Sequence, residues 1–144
     1  QAFTEQMKER HSCFGQGVAD FQSMQLRVAE SAAEYHAARM IVLKDIQESL
    51  AILREQDDIP EEMHHRNRRD MAYCPRFAAA SVDRLFYAAG AGGLFTEGNL
   101  QRQFRDVHAG CAQVFLNWDI NATVYGRAIL GLEPGGPPGP GEAK

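Results

Sequence analysis

"FQSMQLRVAESAAEYHAARMIVLKDIQESLAIL", residues 21–53, decides the fold. Its apolar or small residues Phe21, Met24, Val28, Ala32, Tyr35, Val42, Ile46, Leu50 and Leu53 recur at spacings of three, four or seven, which lines them along one face of an α-helix. Arg27, Glu30, Glu34, Lys44 and Glu48 fill the other faces. No proline interrupts residues 1–59, so no residue there removes a backbone donor from the helical ladder. The spacing predicts a helix from 19 to 56, which at about 1.5 Å per residue exceeds about 50 Å. A helix of that length belongs to a bundle or an oligomer.

Glycine and proline divide the rest. "CFGQG" at 13–17 carries Gly15 and Gly17, which end a shorter N-terminal helix. "REQDDIPEE" at 54–62 reads as a turn, with Asp58 as N-cap and Pro60 in the first turn of a third helix. That helix runs to about Ala89, and Pro75 predicts a kink or break near Tyr73 or Cys74. "GAGGLFTEGN" at 90–99 reads as a loop, and a fourth helical region covers 99–132, broken near Asn117–Asn121 and closed by Gly131. "EPGGPPGPGEAK", residues 133–144, cannot bury apolar surface and reads as a disordered Pro/Gly tail. No segment reads as a strand. The expected architecture is all-α, an antiparallel four-helix bundle over residues 1–132.

A chain of 144 residues fits one domain with a real core. Its net charge of -4 and pI near 5.7 provide no electrostatic footprint for nucleic acid or an anionic membrane. Cys13, Cys74 and Cys111 are odd in number and lack CxxC spacing, which argues against a disulfide framework or a structural zinc and fits a cytoplasmic setting. No apolar run approaches the length of a membrane span. The chain opens on Gln1 rather than Met, directly into helix-like sequence, and reads as the C-terminal fragment of a longer enzyme.

Candidate chemistry concentrates in "RDVHAGCAQVFLNWD", residues 105–119. It interleaves Arg105, Asp106, His108, Asn117, Trp118 and Asp119 with Val107, Ala109, Ala112, Val114, Phe115 and Leu116, so the charges face water or one turn lines a site. The bland readings are an Arg105–Asp106 ion pair at a helix start, and Phe115 and Trp118 in the core. Glu61 with His64 and Glu62 with His65 have di-iron bundle spacing, but such a site needs two pairs on different helices plus two more carboxylates, and both copies here lie next to each other on one helix start. A solvated face is the better reading, as it is for Arg66, Arg68 and Arg69, and no metal site is assigned. No nucleophile elbow, phosphate loop or complete dinucleotide fingerprint is present.

Four stretches together resemble the C-terminal helical domain of the acyl-CoA dehydrogenase superfamily: "FGQGVADFQSMQLRVAESAAEYHAAR" at 14–39, "LFYAAGAGGLF" at 85–95, "LQRQFRD" at 100–106 and "NWDINATVYGRAILGL" at 117–132. The Arg-Asp, Asn-Trp-Asp and Tyr-Gly-Arg combination is similar to the flavin-dependent monooxygenase branch, the oxygenase components of two-component hydroxylases. The resemblance implies a homo-oligomer, a tetramer, whose C-terminal domain helps build the flavin site, including that of a neighbouring subunit. It implies reduced FAD or FMN supplied by a separate flavin reductase, and an aromatic or polyketide-like small-molecule substrate.

Carried over by position, the resemblance places Phe14 and Gln22 at the flavin's phosphate and adenosine end, and Tyr87, Ala88, Ala89, Gly90 and Ala91 as the glycine-rich wall of that pocket. The family's phosphate-contacting arginine falls on His11 with Arg10 beside it; Arg10 ranks first for its permanent charge and fork of donors. The dehydrogenase carboxylate position is Val114, which excludes proton abstraction by that route. The histidine that the monooxygenases place beside the flavin ring falls on Gln113, which hydrogen-bonds but does not titrate. Gln113 is the candidate catalytic residue, the alternative being a polar residue that only satisfies a buried hydrogen bond. His108, five residues earlier, projects from another face unless the helix breaks. Competing readings are an acyl-CoA dehydrogenase-like oxidoreductase, and a non-catalytic assembly domain that kept the fold and lost the chemistry.

Overall fold

Residues 2–94 and 99–133 are described by a computed structural model. In chain order they form α1 (Ala2–Glu9), a 3-10 turn (Val18–Asp20), α2 (Gln22–Ile52), α3 (Glu61–Ala89), a 3-10 turn (Gly90–Leu94), α4 (Asn99–Cys111), a 3-10 turn (Val114–Leu116) and α5 (Trp118–Ile129). Among the described residues there is no strand, only an isolated bridge between His11 and Gly17, so the chain is all-α as its periodicity requires. The Pro/Gly tail from residue 134 onward lies outside the described residues.

The boundaries differ from the expected ones for local reasons. α2 is shorter than 19–56 because Phe21 is extended and its carbonyl accepts from the amides of Met24 (2.9 Å) and Gln25 (3.2 Å), starting the helix there. At the other end the Ile52 carbonyl takes the amides of both Glu55 and Gln56 at 2.9 Å, which closes α2 in a turn. α3 continues through Pro75 without the expected break. Proline removes one donor from the ladder, and the carbonyl that loses it belongs to Met71, itself an exposed residue. The fourth helical region does break, but over 112–117, earlier than expected. There Gln113 N donates to Gly110 O, Leu116 N to Gln113 O and Asn117 N to Val114 O, a run of tight i→i+3 bonds.

Asn117 then restarts the helix as N-cap of α5, its side-chain oxygen accepting from Ile120 N at 3.1 Å. Gly131 ends α5 as expected: at φ +69°, it donates to Ala128 O while Leu132 N reaches back to Arg127 O at 2.9 Å. Those two bonds make a Schellman cap.

The chain divides into two units. Unit 1 takes the chain up to Ala37 together with Phe77–Ala109, and unit 2 takes Ala38–Arg76 together with the chain from Gly110. In unit 1, α2 and α3 run antiparallel, with Glu30 and Glu34 meeting Arg84 and Ser31 meeting Ser81. Its buried apolar residues are Met7, Met24 and Ala89. In unit 2 the same two helices pair Asp45 and Glu48 with Arg66 and Ser49 with Asn67, and the buried residues include Ala72, Cys74, Asn121 and Val124.

Candidate functional site: an arginine on a glycine turn, and a pinned connector

In unit 1 the chain leaving α1 folds into a small hairpin. His11 bridges Gly17, Val18 N donates to Arg10 O (2.8 Å), and Ser12 closes the turn through its own amide and its hydroxyl, both bonded to Gln16. Gly15 adopts φ +81°, a backbone conformation that side chains disfavour. This geometry leaves Phe14 on the hairpin 93% exposed. Gln22 is the exposed first residue of α2.

Arg10 reaches across unit 1. Its Nη1 donates to the carbonyl of Ala89, and its guanidinium lies against Gly92, where a Cβ would come within 3.1 Å of Nη1. Gly90, at φ +56°, turns the chain out of α3 into the glycine-rich 3-10 turn that receives the arginine. Ala89 is buried, Ala88 half-buried, Gly90 and Ala91 exposed, and Tyr87 stands 75% exposed with its ring edge-on to Phe86. Arg10 and Ala89 through Gly92 are thus brought together, whereas Phe14, Gln22 and Tyr87 stand exposed. Gly92 was not among the expected residues, and its signal was the second pair of the "GAGG" run.

Beneath this turn Arg84 locks α3 to α2. It donates bidentately to Glu34 (2.7 and 2.9 Å) and to Ser31 Oγ (3.0 Å) and forms an ion pair with Glu30 (3.0 Å), while Ser81 Oγ donates to Glu34 at 2.7 Å. The Arg84 hydrogen bonds hold the Glu34 carboxyl below its ordinary range, and the same pair raises the Arg84 guanidinium. On α4, His108 Nε2 lies 2.8 Å from Asp83 Oδ1 and its ring packs on Phe104 with centroids 4.5 Å apart. Asp106 pairs with Arg102 one turn earlier at 3.3 Å, rather than with Arg105 at a helix start.

In unit 2 the break between α4 and α5 makes Gln113 an exposed, non-helical residue whose main chain, not its side chain, caps the 3-10 turn. Val114 is 60% and Phe115 74% exposed. Phe115 therefore does not join the core as expected, because the break turns residues 113–115 outward from the helical register. Trp118 is half-buried against Tyr73 (centroids 5.1 Å), with Arg76 over its ring at 5.2 Å. Behind the connector, Asn121 donates from Nδ2 to Phe115 O (3.1 Å) and Asn117 O (2.8 Å), and accepts from Arg68 Nε (3.1 Å). Sequence reading missed Asn121 and Arg68; the signal was an asparagine four residues after the N-cap asparagine, on the face that also carries Val124.

Glu61, Glu62 and His65 border a cavity of about 430 Å³ with Tyr125, Ala128, Ile129 and Leu132. Among the described residues no three His, Cys, Asp or Glu side chains are grouped to hold a metal ion. Burial and the nearby Asp70 push the Asp45 carboxyl up despite Arg66, and burial likewise raises the Cys74 thiol, whose Sγ lies 3.6 Å from Ala38 O. No helix among the described residues is long and apolar enough to cross a membrane.

Residues 1–118 match the family described as "Acyl-CoA dehydrogenase, C-terminal domain". The chain belongs to the acyl-CoA dehydrogenase C-terminal domain family. It is 33% identical over 121 residues to the flavin-dependent monooxygenase oxygenase subunit HsaA of Mycobacterium tuberculosis H37Rv, an alignment covering 84% of this chain and 31% of that protein. It is 33% identical over 123 residues to the FADH(2)-dependent resorcinol hydroxylase oxygenase component of Rhizobium sp. MTP-10005, covering 83% of this chain and 30% of that one. The crystal structure of the HsaA monooxygenase from M. tuberculosis superposes with a TM-score of 0.82 at 32% identity, over 93% of this chain and 34% of the other. The chain thus spans about a third of the length of the family members it matches.

Proposed function

We propose that this chain is the C-terminal domain of the oxygenase component of a two-component flavin-dependent monooxygenase acting on an aromatic or polyketide-like substrate. The observation that carries the reading is the connector. Where the dehydrogenases of the family carry a carboxylate this chain presents Val114, exposed and apolar and unable to remove a proton, which supports the monooxygenase reading over the dehydrogenase one. The named relatives are oxygenase components, which supports the same reading.

The residues present fit a flavin. Arg10 supplies a permanent cation beside a turn whose glycines let a phosphate approach the backbone, and Gly92 lacks the Cβ that would crowd the guanidinium. Arg10 and the 90–92 turn would hold the phosphate end, with the exposed rings of Phe14 and Tyr87 and the amide of Gln22 offered to the remainder. Reduced FAD or FMN, delivered by a separate flavin reductase, would supply the electrons that activate oxygen. Gln113 would orient a polar group by hydrogen bonding without exchanging a proton at neutral pH, so the acid or base of the reaction would come from another residue. A second role concerns assembly. Of the 31 residues of α2 only Met24 and Ser31 are buried, while Leu26, Tyr35, Met40, Ile46 and Leu50 are exposed, which supports a homo-oligomer, a tetramer, built on this helix.

The test is oxygen-dependent hydroxylation of phenolic substrates by the full-length polypeptide given chemically reduced flavin. Product containing an oxygen atom derived from O2 is the expected result. Desaturation of an acyl thioester, or saturable flavin binding with no product from any phenol tried, would overturn the monooxygenase reading.

A further inference from the structure

We infer that Asn121 is a positioning residue: its buried carboxamide, braced by Arg68, fixes the 110–117 connector and so sets where Gln113, Val114 and Phe115 stand. The inference rests on the function proposed above, because it takes the outward face of that connector as part of the site. Asn121 is only 1% exposed and, among the described residues, is the largest fully buried side chain.

Every group of its amide is engaged. The two Nδ2 hydrogens go to Phe115 O at 3.1 Å and Asn117 O at 2.8 Å, and Oδ1 accepts from Arg68 Nε at 3.1 Å. The bonds within the connector itself are all short-range, from Gln113 N to Gly110 O, Leu116 N to Gln113 O and Asn117 N to Val114 O. Such i→i+3 bonds are weaker than helical ones and do not by themselves select one shape. Asn121 reaches past them to the Phe115 carbonyl six residues back and is itself tied to α3 by Arg68, while Asn117 caps the following helix through Ile120 N. A leucine has the same branched heavy-atom skeleton without the polar groups, so the shape of the side chain alone does not demand an amide here. A fully satisfied buried amide contributes instead to choosing one backbone arrangement over its competitors. Arg68 is itself exposed, so it acts as a brace that can be removed without opening the core.

The experiment compares wild type, Asn121→Leu and Arg68→Met in the full-length polypeptide by two readouts. Backbone hydrogen exchange at Leu116 and Asn117 is expected to quicken at least tenfold in Asn121→Leu and less in Arg68→Met, with the α2–α3 amides of unit 1 unchanged. The hydroxylated product formed per reduced flavin consumed is expected to fall several-fold with little change in substrate KM, an effect that loss of stability alone would not produce. Should Asn121→Leu fail to fold, Arg68→Met still decides. Wild-type exchange at Leu116 and Asn117 in the variants would overturn the inference, as would faster exchange with unchanged product yield. A wild type that binds no reduced flavin would instead sink the proposed function, with the exchange data still reporting on the pin.

Discussion

Arg84 in unit 1 and Arg66 in unit 2 both project from α3 toward carboxylates on α2, yet those carboxylates respond oppositely. Arg84 grips Glu34 bidentately and Ser81 adds a third bond, so the carboxyl is held below its ordinary range. Arg66 lies 3.4 Å from Asp45 and is drawn mainly to Glu48, leaving Asp45 to burial and to the neighbouring Asp70, which raise it. An arginine across the helix pair does not fix the state of an acid; the number of hydrogen bonds to the charged form does.

The comparison breaks most sharply at Arg84. Arg84→Met leaves the largely buried Glu34 with Ser81 as its remaining side-chain donor and should destabilise the fold by about 3 kcal/mol. Chemical denaturation measures it. Arg66→Met should cost less, about 1–2 kcal/mol, because its Glu48 partner is more exposed. If the two losses are equal, the contrast between the units fails.

Acid should separate the units further. The folded pKa of Glu34 lies below its usual 4.5, so its contribution is present above that value and is lost as pH falls through the folded pKa. Asp45 has a folded pKa above its usual 3.8, so its contribution is fully present below that value and is lost as pH rises through the folded pKa. Asp45→Asn should therefore be more stable than wild type at pH 7 and equal to it near the bottom of the carboxylate range. Thermal unfolding across pH checks the sign, and a variant less stable at pH 7 would contradict it. The smallest effect is expected at Gln113→Ala, within about 0.5 kcal/mol of wild type, since the side chain is exposed and caps nothing.

Much of this was legible in the residues themselves. The three-and-four spacing through residues 21–53 and the Schellman glycine at Gly131 are local signals, and both elements formed where they pointed. Pro75 misled because a single proline removes one bond from a long helix whose side-chain packing persists on both sides of it. The break after Cys111 was misplaced because no glycine or proline marks residues 112–117. What shapes it is Asn121 and Arg68, the latter 53 residues away in sequence, which no local pattern could connect. The approach of Arg10 to Gly92 is likewise a long-range contact, visible only once α1 and the end of α3 share a unit.

The flavin role of Arg10 can be measured by anaerobic titration of reduced FAD and reduced FMN into the full-length polypeptide, comparing wild type with Arg10→Met. Loss of a charge-assisted contact should weaken binding about tenfold or more while the fold persists. Wild type without saturable binding, or Arg10→Met binding as tightly as wild type, would contradict the placement of the flavin phosphate on the arginine and glycine turn.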